Sequence, residues 1–341
     1  MSLWDEIHEQ PVTIDRLLRD GAAAVSAAAR HIASVGPTHV VIAARGTSDN
    51  AARYAQYVWG HRNRMPVGLA TPSLFTHYGT PPRLDGALVV GISQSGESPD
   101  LLAVLSAAAE QGCPTLAITN TAGSPLTTTA DLTIELMAGK ERSIAATKTY
   151  TAELTALAML SEAMAGRDAG LESVPDAVAT TLEAAEHIAA AAQPFAGAAT
   201  AAVLGRGFNY STAFEWALKV QETAYVLAHP YSTADFAHGP MAVVEPGFPI
   251  LAVAPSGAIH GEVSSMLREV TEQLEPRLAV ISDDPATLAL TGHAIPIPRV
   301  PEWLSPIVAV VAAQVFTHGL AVARGLDPDA PRTISKVTRT R

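Results

Sequence analysis

Two dipeptides recur along the chain at one fixed offset. Arg45-Gly46 returns as Arg206-Gly207 and Ser95-Gly96 returns as Ser256-Gly257; both pairs are 161 residues apart, and every copy follows a short apolar run. Two independent landmarks at one spacing point to duplication of a structural unit. Around each landmark the pattern is an apolar run, a small polar turn and a helix-forming stretch. Strands that alternate with helices build a parallel sheet covered on both faces, so the chain reads as an α/β fold made twice. Such sheets bind ligands at the carboxyl ends of their strands, which directs attention to the turns.

The most informative turn lies in Ala87 to Leu102, A-L-V-V-G-I-S-Q-S-G-E-S-P-D-L-L. Leu88 to Ile92 suits a parallel strand buried on both faces. Ser98 suits an N-cap, Pro99 the first helical position and Asp100 the positive end of the helix dipole. Between them Ser93, Gln94, Ser95 and Gly96 aim hydroxyls, an amide and backbone N–H groups at one spot, which with the helix start makes an anion site. The turn carries no lysine, and a triphosphate with Mg²⁺ is usually met by Gly-Lys-Ser/Thr, so its natural ligand is a single phosphomonoester. The same residues also suit an ordinary polar βα turn, and the pattern alone does not choose.

Thr38 to Ala44 followed by Arg45-Gly46-Thr47-Ser48-Asp49-Asn50 repeats the layout, which makes Thr47 and Ser48 candidates for a second wall of the same pocket. A weaker strand is expected at Val67 to Ala70 and another at Thr115 to Thr119, after a helix from Pro99 to Glu110. In the second copy Ala254-Pro255-Ser256 replaces Ser93-Gln94-Ser95, and Phe208-Asn209 replaces Thr47-Ser48. Proline lacks an N–H and the other changes remove hydroxyls, so one phosphate site is expected, in the first copy. Residues 3 to 34 read as helical, with Thr13-Ile14-Asp15 starting the later segment. Ala152 to Ala165 and Pro175 to Ala192 read as Ala-rich helices, and Pro306 to Arg324 as a last helix capped by Gly325.

Net charge of −11 argues against a nucleic-acid partner, which needs a basic face. Met1 to Glu6 has no basic, apolar leader pattern, and the apolar run near the C-terminus is broken by Gln314, Thr317 and His318; a cytoplasmic protein without a membrane partner is expected. The single cysteine, Cys113, rules out an internal disulfide framework and reads as a small buried residue. None of the eleven histidines falls in a metal-ligand spacing, so no metal and no cofactor are expected.

Six further residues carry reactive groups. Glu215, Lys219 and Glu222 fall at i, i+4 and i+7, which on a helix places two carboxylates and an ammonium on one face; a solvated salt-bridge face has the same spacing. The helix follows the turn matching the phosphate-side turn of the first copy, so its first turns lie near the ligand edge. His238 precedes Gly239-Pro240 in a turn, where a histidine acts as an acid or base or is simply a surface residue. Lys148 reads as following a strand, and Lys336 lies in the terminal stretch.

Taken in order, Ser93-Gln94-Ser95-Gly96-Glu97-Ser98, the Glu215, Lys219, Glu222 helix, Ala237-His238-Gly239-Pro240 and Pro331-Arg332 to Lys336 resemble the isomerase half of the glutamine:fructose-6-phosphate amidotransferase family. Glu6 to Pro11 is similar to that family's entry into the same half. The resemblance implies two tandem sugar-isomerase (SIS) domains, each a flavodoxin-like parallel-sheet αβα sandwich, at 1–170 and 171–325, with a lid or tail at 326–341. It makes Thr47, Ser48, Ser93, Gln94, Ser95 and Ser98 the phosphate binders. Glu222 matches the base that moves a proton between C1 and C2, with Lys219 and Glu215 beside it. His238 matches the histidine that opens the sugar ring, reaching in from the other subunit, which implies a homodimer. Lys336 matches the lysine of the lid.

Two departures qualify the match. About 36 residues precede the first strand, where the family carries a whole glutaminase domain with an N-terminal cysteine, and the tail beyond Lys336 differs. The expectation is a glucosamine-6-phosphate deaminase acting on a phosphorylated amino sugar. The alternatives are a fructosamine-6-phosphate deglycase, another aldose–ketose isomerase of phosphosugars, or a non-catalytic sugar-phosphate-binding regulator.

Overall fold

The computed structural model describes residues 2–166, 170–333 and 336. The chain forms two compact units. One holds Val12–Glu141, Lys148–Glu172 and Lys336; the other holds the residues up to Pro11, Arg142–Thr147 and those from Ser173 through Thr333.

The first unit is built on a five-stranded parallel sheet of β1 (His39–Ala43), β2 (Val67–Leu69), β3 (Ala87–Ser93), β4 (Thr115–Thr119) and β5 (Leu132–Glu135), ordered β2-β1-β3-β4-β5. The second repeats it with β6 (Thr200–Gly205), β7 (Leu227–Ser232), β8 (Pro249–Val253), β9 (Arg277–Ser282) and β10 (His293–Pro296). Its order, read from the other edge, is β7-β6-β8-β9-β10, the same topology. The duplication inferred from the two dipeptides is therefore a duplication of fold. All seven residues of β3 are buried, as a central parallel strand requires. The helix Pro99–Glu110 packs Leu101, Val104, Leu105 and Ala108 onto Ala87 and Val89.

Several helices differ from the sequence reading. The opening region is three helices, Leu3–His8, Gln10–Asp20 and Ala22–Val35. Ser2 and Asp5 form a reciprocal capping box on the first, and Gly36 ends the third in a left-handed conformation. The second begins at Gln10, ahead of Thr13. Pro175 to Ala192 is split at Ala184 into Val174–Glu183 and Ala185–Ala191. Lys148 follows no strand: Arg142–Thr147 is irregular, and Lys148 opens the helix Lys148–Ala165, its ammonium donating to the Lys140 carbonyl at 3.0 Å.

Among the described residues one helical stretch, Glu302–Ala323, is long and apolar enough to cross a bilayer. It is 83% buried inside the protein, so packing accounts for its apolarity.

Candidate functional site

In the first sheet the strand order reverses between β1 and β3, and this switch point is where such sheets open a ligand crevice. Both predicted polar turns stand there. After β1, Gly46 adopts φ 53° and the helix Gly46–Asn63 begins, carrying Thr47 and Ser48 in its first turn. Ser48 is buried and donates to Glu153 Oε1 at 2.7 Å. After β3, the Ser93 hydroxyl accepts from Gly96 N–H at 3.1 Å, and Ser95 Oγ accepts from Glu97 N–H at 3.3 Å. Ser98 holds the N-cap position of Pro99–Glu110 without a capping hydrogen bond from its side chain. The hydroxyls and N–H groups of this turn gather at the start of a twelve-residue helix, the arrangement that suits an anion.

An ion pair not anticipated from the sequence ties the two turns together. Arg45 Nε lies 2.6 Å from Asp100 Oδ2, and the aspartate is fully buried. Asp100 thus does more than complement the dipole. The same clamp recurs in the second copy as Arg206 to Glu262 at 2.5 Å, so the repeated arginine of the Arg-Gly landmark has a structural role in both.

The second copy keeps the strand, turn and helix order but fills its turn differently. Ser256 N–H donates to the Asp283 carboxylate, and Ala258 N–H donates to Glu302 Oε2 at 2.8 Å. A Cβ on Gly257 would sit 2.1 Å from the Glu302 carboxyl carbon. The backbone donors of this turn are taken by the protein's own carboxylates, which repel a phosphate as well as displacing it. Asn209, which replaces Ser48, donates to Ser305 Oγ at 2.7 Å and accepts from Thr212 at 3.0 Å.

The acidic cluster of the second unit is neither a plain helix nor a solvated face. The α-helix Tyr210–Lys219 widens into a π-helical turn, Val220–Ala224, and ends at Tyr225 in a left-handed conformation, φ 54°. Such π segments recur at functional sites. Glu215 and Lys219 are buried, and Lys219 Nζ lies 3.4 Å from Glu215 Oε1 and 2.5 Å from Glu222 Oε2. Glu222 is the more exposed carboxylate, at 25%. The first turns of this helix do stand at the carboxyl edge of the sheet. Glu222, however, comes five residues before Leu227, which pairs with Thr200 at the amino edge.

His238 lies beyond the other end of β7, after the short helix Thr233–Ala237. It is exposed, its N–H donates to the Asp235 carbonyl at 3.1 Å, and Gly239 beside it has φ 146°. A six-residue strand spans roughly 20 Å, so within one unit Glu222 and His238 stand at opposite ends of β7. In the same unit Arg332 stacks on Tyr225, its guanidinium 4.0 Å from the ring centroid, and its N–H donates to the Tyr225 hydroxyl at 2.8 Å.

Lys336 groups with the first unit, where its ammonium is 2.8 Å from Glu141 Oε2. Glu141 was not singled out from the sequence. It sits in the polar run Gly139 to Ser143, which has no periodicity, so no local signal marks it. Cys113 is buried, donates to the Leu84 carbonyl at 3.0 Å, and burial followed by the nearby Asp85 charge pushes its thiol pKa up. Among the described residues no three His, Cys, Asp or Glu side chains are grouped as metal ligands.

Comparison with known proteins agrees with this architecture. Residues 35–163 and 195–324 each match the SIS domain, and the chain belongs to the SIS domain family. More narrowly, it is 33% identical to the glutamine–fructose-6-phosphate aminotransferase (isomerizing) of Thermococcus kodakarensis, over 97% of this chain and 56% of that protein. The chain thus spans about half the length of the curated relatives it matches. Among solved structures, the C-terminal domain of glucosamine-fructose-6-phosphate aminotransferase from Francisella tularensis superposes with a TM-score of 0.87 at 28% identity, covering 96% of this chain and 98% of that one. A protein from Silicibacter pomeroyi DSS-3, described as a phosphosugar isomerase, gives a TM-score of 0.85 at 32% identity, covering 96% and 100%.

Proposed function

We propose that the chain is a phosphosugar enzyme acting as a glucosamine-6-phosphate deaminase, giving fructose 6-phosphate and ammonia. Thr47, Ser48, Ser93, Gln94, Ser95 and Ser98 hold the phosphate through hydroxyl, amide and backbone N–H groups at a helix start. Once the ring is open, Glu222 moves a proton between C2 and C1, and the resulting C2 imine is hydrolysed to the ketone and ammonia. Shifting a proton α to an imine needs a carboxylate fixed in place, with a controlled charge environment. The observation that supports this reading is the cluster Glu215, Lys219, Glu222, in which one buried ammonium bridges a fully buried carboxylate and a partly exposed one.

His238 serves as the ring-opening acid or base. Because the full length of β7 separates it from Glu222 of its own unit, it serves a second copy of the chain, and the enzyme works as a homodimer. The exposure of His238 supports that reading. Sedimentation analysis should find a dimer, and mixing inactive Glu222→Gln and His238→Asn proteins should regenerate activity; no recovery in a freely exchanging dimer argues against shared sites.

The direct test is ammonia release from glucosamine 6-phosphate. Glu222→Gln should lower the rate by roughly 10²- to 10⁴-fold. Equal rates for variant and unaltered protein would overturn the assignment. Turnover of a fructosamine phosphate or a simple aldose phosphate in its place would move the substrate within the class. Tight binding of sugar phosphates with no turnover on any of them would make the chain a sensor.

A further inference from the structure

A cleft of about 690 Å³ opens in the first unit, away from the turns described above. Its walls come from the C-terminal ends of three helices, Ala22–Val35, Gly46–Asn63 and Lys148–Ala165. Gly36-Pro37 leads from the cleft into β1 and Met65 leads into β2, so it stands at the amino edge of the sheet. The polar turns after β1 and β3 stand at the carboxyl edge. Thr47 and Arg62 lie near opposite ends of one eighteen-residue helix, which is roughly 27 Å long.

Arg30, Arg62 and Arg64 line the cleft, and among the described residues no Asp or Glu does; Glu162, one residue before Ala163, is not part of the lining. In a chain of net charge −11 this is a local reversal of sign, which favours an anion. Arg62 has contacts within the protein and serves as wall. Arg30 and Arg64 are exposed, and among the described residues neither forms an ion pair. Arg64 also holds a left-handed backbone, φ 55°, at the end of Gly46–Asn63, where glycine or asparagine is the usual residue. Such strain gathers at functional sites. An arginine at a helix end complements the dipole, yet a glycine at this position would cap the helix without strain. Beside the arginines, Ile32, Met65 and Met164 supply an apolar wall.

Guanidinium forks grip phosphate oxygens two at a time. Several in one cleft suit more than one phosphate, and the volume is that of a site for a small organic molecule. We propose that this cleft binds an organic diphosphate, at a site separate from the Ser93 to Ser98 turn. Arg30 and Arg64 hold the diphosphate, and the apolar wall takes the organic part.

The test is calorimetric titration of the full chain with pyrophosphate and with ADP, which adds an organic part to the same group. Arg64→Gly removes the charge together with the strain, so both ligands should weaken about tenfold or more while the melting temperature holds or rises. Arg30→Ala should weaken them similarly. Glucosamine 6-phosphate should bind both variants as it binds the unaltered protein, because its site is at the other edge of the sheet. Failure of the unaltered protein to bind either diphosphate would overturn the proposal. Unchanged diphosphate affinity in both variants overturns it too, and with a lowered melting temperature would leave the arginines as helix caps alone. Variants that lose diphosphate and glucosamine 6-phosphate together would remove the separate site. ADP binding more weakly than pyrophosphate would overturn the organic part. If the unaltered protein takes up diphosphate but no glucosamine 6-phosphate, the deaminase reading falls and this site stands.

Discussion

Two residues show how much of the candidate site rests on single atoms. Gly96 has φ 64°, and a Cβ there would sit 2.1 Å from Ser124 Oγ and 2.6 Å from Ser124 Cβ. Gly96→Ala therefore meets both a left-handed backbone and a buried side chain. It should cost roughly 2 kcal/mol or more of stability by denaturant unfolding and abolish binding of inorganic phosphate. Lys219 is the second case. Removing its ammonium while Glu215 stays in a site with no solvent exposure leaves buried charge without its nearest cation. Lys219→Met should lose about 3–5 kcal/mol, again read by denaturant unfolding, whereas Lys219→Met with Glu215→Gln should lose clearly less. Neither consequence follows from the one-dimensional spacing, which also permits a solvated face.

Between elements, the duplicated clamp offers an internal control. Arg45 and Arg206 each reach from the turn after the first strand of a sheet to an acid at the start of the helix after the third. The partners differ in burial: Asp100 has no exposed side-chain surface, whereas Glu262 is 67% exposed. Truncating an arginine opposite a buried carboxylate strands that charge, while an exposed pair is screened by water. Arg45→Ala should therefore cost about 2–4 kcal/mol and Arg206→Ala no more than about 1 kcal/mol. Similar losses for both would contradict the difference in burial. The same elements set the two turns apart, since Asp283 and Glu302 accept from the Ser256 and Ala258 N–H groups of the second copy, whereas Ser93 and Ser95 hydroxyls accept from the Gly96 and Glu97 N–H groups of the first.

For the molecule as a whole, acid is the informative stress. His318 packs against Trp4 with ring centroids 4.9 Å apart, and His293 meets Phe195 edge-on at 5.5 Å. Burial is the main reason both imidazoles have pKa values below the ordinary histidine value. The folded state thus holds them neutral, while the unfolded chain takes up protons near pH 6.5. Their stabilisation is complete above the unfolded value and is lost as pH falls through the lowered folded values. The melting temperature should fall on acidification from about pH 7.5 to about pH 5, and His318→Gln should flatten that slope. An unchanged slope would assign the acid sensitivity to other groups.

What was legible in the amino-acid order was whatever local chemistry decides. Strand runs, the Ser93 to Ser98 and Thr47-Ser48 turns, the Gly325 helix end and the 161-residue repeat all depend on neighbours along the chain. Backbone hydrogen bonding and caps act over a few residues, and the repeated pattern carries the sheet topology with it. Tertiary structure alone decided which distant side chains meet: Arg45 with Asp100, Glu141 with Gln94 and Lys336, Asp283 and Glu302 across the second copy's turn. It also decided that the helix bearing Glu222 would widen into a π turn and end at the amino edge of its sheet. Burial and charge pairing are summed over contacts scores of residues apart, so no window of sequence contains them.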